Sequence, residues 1–241
     1  MRAETRHSLK EDRFSKVTIN AAEKTVHWTV EHQKTLMIAI VSLLVIIGAA
    51  AGAWYYFNQQ DQKASLEFGQ AVRTLDAPLR PAGMPPQPDV PSFSSAQERA
   101  TAARKQFEAI IAKYPHTHAS EFARYFAGVT ASSMGDTAAA ERDLKEVSSS
   151  GDKDLAALAK FALAAVYRKS NRTKEAIDLY KQLSDKPTAS VSKSMAQLEL
   201  ADLYRDQQQP QEAKRIYEQL QKENPNTDVA SVASAKLAQL K

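Results

Sequence analysis

The chain has 241 residues, 25% of them charged, with 32 Lys and Arg against 28 Asp and Glu and a formal net charge of +4. The basic residues are interspersed rather than gathered into a stripe facing phosphates, which argues against a nucleic-acid partner. Cysteine is absent, which removes disulfides, thiolate metal sites, a cysteine nucleophile and lipid attachment at a new N-terminal Cys. Ala, Leu, Lys, Glu and Gln dominate while Gly numbers only 7, so the composition predicts an all-α fold.

Residues 1–35 form a polar arm carrying Arg2, Arg6, Lys10, Arg13, Lys16, Lys24 and Lys34. Within it Ile19, Ala22, Val26 and Val30 recur at helical spacing, with Trp28 beside them. That pattern fits an amphipathic helix on a membrane surface, or a plain extension of the segment that follows. Residues 36–57 read LMIAIVSLLVIIGAAAGAWYYF, without a charge. At about 1.5 Å per residue such a helix covers roughly 33 Å, against roughly 30 Å of hydrocarbon in a bilayer. Trp54, Tyr55, Tyr56 and Phe57 close the run, as rings do at a membrane–water boundary. The segment therefore predicts a single transmembrane helix.

A cleaved signal peptide competes with that reading, because Ala49-Ala50-Ala51 and Ala51-Gly52-Ala53 both offer small-x-small sites. The length of the apolar run and the charged arm ahead of it favour a retained anchor. Lys63 stands alone just after the run, so the positive-inside rule places the N-terminus in the cytoplasm and the C-terminal part outside. In a Gram-negative bacterium that compartment is the periplasm and the membrane is the inner one. Gly48 and Gly52 form a Gly-x-x-x-Gly, either a packing face for another helix or simply the small residues common in membrane helices.

Residues 58–93 combine a helix and a spacer. Ala64, Phe68, Ala71, Val72 and Leu75 line one side of a helix predicted over 61–75. Pro78, Pro81, Pro85, Pro86, Pro88 and Pro91 then exclude helix and predict an extended linker. Ser95 and Glu98 make a capping box that opens the next helix.

From 94 to 241 the chain is periodic. Ala103, Ala140, Ala176 and Ala213 recur, each followed four residues later by a large apolar residue: Phe107, Leu144, Tyr180 and Tyr217. Gly128, Ala164 and Ala201 stand twelve residues ahead of the last three alanines. Pro115, Pro187 and Pro225 end copies, while Gly135-Asp136, Asn171 and Pro210 fall between paired helices. A small residue on each helix of a pair lets the backbones cross closely while the large one fills the adjacent hole. One such pair cannot bury its apolar face alone, so pairs stack into a solenoid.

This small–Tyr–Ala–large–Pro order, with Tyr167 and Tyr204 as the tyrosines, resembles the tetratricopeptide repeat, in copies at 121–154, 157–190 and 194–227. A last helix over 229–240, with Asp228 as its N-cap, would cap the stack. The repeat runs two or three residues longer than the usual 34. Arg124, Lys160 and Gln197 replace the large ring usual early in the first helix, and residues 61–75 are the candidate for the first pair's missing leading helix. Lys113-Tyr114-Pro115-His116-Thr117, with Phe122, Tyr125 and Gly128, resembles the longer repeats of bacterial envelope assembly proteins. The whole order of arm, span and external repeats is similar to the YfgM-like ancillary Sec-translocon subunit family. That resemblance implies an association with the protein-export channel and with periplasmic chaperones.

No residue pattern supports an enzyme, a cofactor or a small-molecule substrate. His116 and His118 have metal-compatible spacing but no third ligand nearby, and His27 and His32 lack a carboxylate constellation. Repeats of this kind bind with the concave face lined by the first helix of each pair. In the repeat register that face presents Phe122, Tyr125, Val129, Phe161, Ala165, Arg168, Met195, Leu198, Asp202 and Arg205. Tyr125, Phe161 and Leu198 stand where a carboxylate clamp would need Lys, so the expectation is an apolar groove for a helix or unfolded segment. Interior packing between repeats is the competing explanation for each ring taken singly. The resulting expectation is a protein-binding adaptor held in the lipid bilayer by one span, its partners translocon subunits, envelope chaperones or unfolded chains. A cell-envelope assembly or division coordinator built on the same repeats is the alternative.

Overall fold

The computed structural model describes residues 32–81, 83–84 and 92–240. The arm before His32, including Trp28 and the 17–30 segment, lies outside the described residues, as do Pro85, Pro86, Pro88 and Pro91. The described residues are all-helical: α1 Gln33–Leu75, α2 Ala96–Lys113, α3 His118–Ser133, α4 Thr137–Val147, α5 Lys153–Lys169, α6 Thr173–Asp185, α7 Lys193–Asp206, α8 Pro210–Glu223 and α9 Asp228–Gln239. The chain divides into two compact units, Met1–Asn58 and Gln59–Lys241.

The first unit contains the apolar part of α1, which is long and apolar enough to cross a membrane. Its large side chains, from Met37 through Ile47 to Trp54, Tyr55 and Tyr56, are exposed. A helix apolar on all sides and unburied has no protein core to face, which is the composition of a lipid-facing surface. Among the described residues, nothing beyond the local helix lies within 4 Å of a Cβ built on Gly48 or Gly52.

The second unit is a stack of helix pairs. Residues 59–75 of α1 do serve as the leading helix for α2: Ala64 and Ala71 are fully buried, and Phe68 packs on Phe107, Phe122 and Phe126. Asp61 accepts a hydrogen bond from the Ala119 N–H at 3.2 Å, and Glu67 accepts from Lys113 at 2.6 Å and from the Tyr114 hydroxyl at 2.7 Å. The bonds from Lys113, then Tyr114, hold the Glu67 carboxyl below its ordinary range. The pairs α3–α4, α5–α6 and α7–α8 follow, and α9 packs on α8.

The alternation of small and large residues explains this packing. Ala103, Ala140, Ala176 and Ala213 are all at 0% exposure, and Phe107, Leu144, Tyr180 and Tyr217 fill the spaces beside them. The closest crossing is at Gly128, where an added Cβ would lie 2.8 Å from Leu144 Cγ. Only glycine lets α3 and α4 approach so closely at that point.

Each pair turns by the same device. Gly135, Asn171 and Gln208 have φ of 83°, 58° and 57°, one per repeat. The next N–H donates back across the helix end each time: Asp136 to Ala131, Arg172 to Tyr167 and Gln209 to Tyr204, all at 2.9 Å. These are Schellman-type caps, in which a left-handed residue satisfies carbonyls that the helix leaves free.

Two expectations about helix starts need correction. Ser95 caps α2 by accepting from the Glu98 N–H at 3.1 Å, but the Glu98 carboxylate accepts from the Ser94 N–H at 2.8 Å instead of closing a box on Ser95. The N-cap of α9 is Thr227, with Asp228 the first helical residue. A hydroxyl one position earlier, in extended backbone, already accepts the Ala230 N–H and leaves Asp228 to complement the helix dipole. The proline-rich connection is also tied at its base: Leu79 and Phe93 form a parallel bridge, Arg80 N–H donates to the Phe93 carbonyl at 2.7 Å, and Arg99 Nη1 donates to the Ala77 carbonyl at 2.7 Å.

Candidate protein-binding face

The residues expected on the binding face sit on α3, α5 and α7, the leading helices of successive pairs. Two of the three on α3, Phe122 and Tyr125, are aromatic and belong to the rings between α1 and α3. Phe122 is half-buried, 6.3 Å from Phe68 and 4.9 Å from the His118 ring, and Tyr125 meets Phe126 edge-on at 5.4 Å. Burial pushes the Tyr125 hydroxyl above its ordinary pKa. Val129 is 36% exposed and Met195, on α7, is 44% exposed. Phe161 packs edge-on against the buried Tyr180 at 5.6 Å, while Ala165 and Leu198 are half-buried. Phe122, Tyr125, Phe161 and Leu198 all pack against the core, so each contributes an edge to the surface and a body to the interior.

The charged members of the set behave differently. Arg168 reaches from α5 to α7, pairing with Glu199 at 3.1 Å and with Asp206. Arg205 pairs with Asp206 at 3.0 Å and with Asp202 at 3.2 Å. Asp202 is only 8% exposed and is not a surface residue. Its carboxylate accepts from the Tyr217 hydroxyl of α8, and both its oxygens accept from the Lys236 ammonium of α9, at 2.9 and 2.7 Å. Helical spacing puts Asp202 on the leading-helix face, but side chains from α8 and α9 cover it. Burial, then the bond to Asp202, raises the Tyr217 hydroxyl pKa. Burial works against the Asp206 charge, but the bonds from Arg168 and Arg205 prevail and hold its carboxyl below the ordinary range.

The face is therefore divided: rings and aliphatics at α3 and the start of α5, a ladder of alternating charge from the end of α5 through α7 to α9. Glu199, Asp206, Tyr217 and Lys236 belong to that ladder and went unrecognised in the sequence. A signal existed, since Arg168 and Arg205 are repeat equivalents and Asp206 follows one position after the second. Charge on such a ladder is largely self-neutralised, which leaves the apolar end as the part with unsatisfied contact area.

Away from this face, several polar residues tie helices together. His118 Nε2 lies 3.8 Å from Asp152 Oδ2, and no group of three His, Cys, Asp or Glu among the described residues could hold a metal. Asp143 is 2% exposed and receives Arg142 at 2.9 Å. Glu141 ties two pairs together, accepting from Lys145 and from Arg172, both at 2.6 Å, while the Arg172 guanidinium lies 4.1 Å from the Tyr167 ring.

The comparison with known families agrees with the stacked pairs and their shared turns. The tetratricopeptide repeat-like domain matches residues 26–186, and a tetratricopeptide repeat matches residues 195–227. No curated protein matches the chain. The first match covers about two thirds of the 241 residues and takes in the apolar helix as well as the first pairs. Such repeats indicate a scaffold for protein–protein interaction, and the chain belongs to the tetratricopeptide repeat-like domain family.

Proposed function

We propose that this chain is a membrane-anchored adaptor, held by one span with its N-terminus in the cytoplasm and its repeats in the periplasm. The leading-helix face of the repeats receives a helix or an unfolded segment of another protein, anchored on Phe122, Tyr125, Val129 and Phe161. The partners that fit the architecture are the protein-export channel on one side and periplasmic chaperones or emerging chains on the other. The observation that carries this reading is the joint presence of an unburied apolar helix and a repeat stack whose leading face keeps rings at the surface.

Photo-crosslinking residues placed at Tyr125 and Phe161 in intact cells provide the test. The expected products join this chain to translocon components, envelope chaperones or exported chains, and they disappear when the crosslinker is moved to the exposed Lys174 on α6. Products limited to division or outer-membrane assembly proteins would replace the export role with an envelope-coordinating one. Release of the protein from membranes by alkaline carbonate would remove the anchor.

A further inference from the structure

A cavity of about 730 Å³ opens between the start of α5, the end of α6 and the loop ahead of α5. It does not belong to the leading-helix face. At about 100° per residue, Lys153, Ala156, Ala157 and Lys160 share one stripe of α5, roughly a quarter turn from Phe161, Ala165 and Arg168. Its floor is apolar, from Ala157, Leu183 and Pro187, and Lys153, Lys160 and Lys186 stand around it with Asp185 the one acid in the lining. None of the three ammonium groups has an ion pair or hydrogen bond with a described residue.

The neighbouring repeats show what is unusual here. Position 160 corresponds to Arg124 one pair earlier and Gln197 one pair later. Arg124 is neutralised by Glu146 at 3.0 Å above a space of about 240 Å³, and Gln197 is buried. Of the three, only Lys160 leaves a cation without counter-charge beside a large opening.

The spacing selects the ligand. Lys153 and Lys160 are two turns apart, about 10.5 Å along the helix, a distance a polyproline II segment covers in about three residues while keeping residues i and i+3 on one face. A segment of that length can meet both ammonium groups and also cover the apolar floor, which a compact anion would leave bare. We propose that this cavity is a second protein-binding site, taking an extended acidic segment of a partner with carboxylates about three residues apart. Lys153 and Lys160 receive successive carboxylates, Lys186 closes the open side, and small side chains between the acids rest on Leu183 and Pro187. The opening is of the size that encloses a short ligand segment.

The test uses the full-length protein in non-ionic detergent and a fluorescein-labelled peptide with Glu at every third position and Ala between, read by anisotropy. The Glu peptide should bind at least tenfold more tightly than its Gln counterpart. Lys160→Glu and Lys153→Glu should each weaken it at least fivefold, whereas Lys174→Glu and Phe161→Ala should stay within twofold. The Phe161→Ala arm separates this site from the proposed face, whose failure would leave the peptide result untouched. Where circular dichroism shows a charge reversal to be unfolded, Lys160→Gln with Lys186→Gln replaces it, with the same expected loss. Equal weakening by Lys174→Glu, parental binding by a Lys153→Glu/Lys160→Glu/Lys186→Glu variant, or displacement of the peptide by equimolar inorganic phosphate would each overturn the proposal.

Discussion

At the first two helix pairs the layers meet through rings: Phe68, Phe107 and Phe126 lie within 5.5–5.9 Å of one another, with Phe122 and Tyr125 at their edge. At the last two the apolar core continues and ion pairs are added to it, with Arg168, Arg205 and Lys236 bridging α5, α7 and α9 by way of Glu199, Asp206 and Asp202. Both regions are built on the same frame of buried alanines, so the difference lies in the contacts added between pairs. Ring contacts are non-directional and insensitive to ionic strength. The ionic contacts depend on every partner being present and on the water kept away from them.

The comparison breaks most sharply at Phe107, which is fully buried at the centre of the rings. Phe107→Ala should cost about 3–5 kcal/mol, measured by urea unfolding of the full chain in detergent and unchanged by 1 M salt. Asp202→Ala tests the other end. It leaves the Tyr217 hydroxyl and the Lys236 ammonium without their acceptor, and should cost about 1–3 kcal/mol. The part of that penalty carried by the partly exposed Lys236 and Arg205 should change with salt, because the Debye length falls to about 3 Å at 1 M, while the buried Tyr217 bond is screened much less. A Phe107 penalty that followed salt, or an Asp202 penalty that ignored it, would erase the distinction. Between the two regions lies Gly128. Gly128→Ala should lose about 1–2 kcal/mol, the overpacking against Leu144 exceeding the helix-propensity gain of about 1 kcal/mol. The effect should be less than additive with Leu144→Ala. The smallest effect is expected at Gln208, whose φ of 57° suits glycine. Gln208→Gly should stabilise by about 0.5 kcal/mol, whereas Gly135→Ala at the equivalent turn should destabilise.

Much of the frame was legible in the sequence because it repeats. The interval between Ala140, Ala176 and Ala213 fixes the pairs, and residues 61–75 could be placed as a leading helix from Ala64, Phe68 and Ala71 alone. What was not legible depends on geometry between elements. Asp202 has the spacing of a surface residue, and only the packing of α8 and α9 brings Tyr217 and Lys236 onto it. The tie between Leu79 and Phe93 is made by backbone atoms and so leaves no mark in residue type. The cavity beside Lys160 was visible only as a missing ring, without the information that the Arg124 position is neutralised and the Lys160 position is not. The turns at Asn171 and Gln208 carry a weaker signal than Gly135, since Asn tolerates a left-handed backbone and Gln rarely adopts one.

The pairing of Leu79 with Phe93 closes the connection between α1 and α2 at its root, so the packed helices on either side do not depend on what lies beyond it. Lengthening a loop whose ends are already fixed costs only about 0.6 kcal/mol for each doubling. Foreign sequence, such as a biotin-acceptor peptide or a split-reporter fragment, can therefore be spliced between Gly83 and Met84, giving a handle for capturing the full-length protein without touching either terminus.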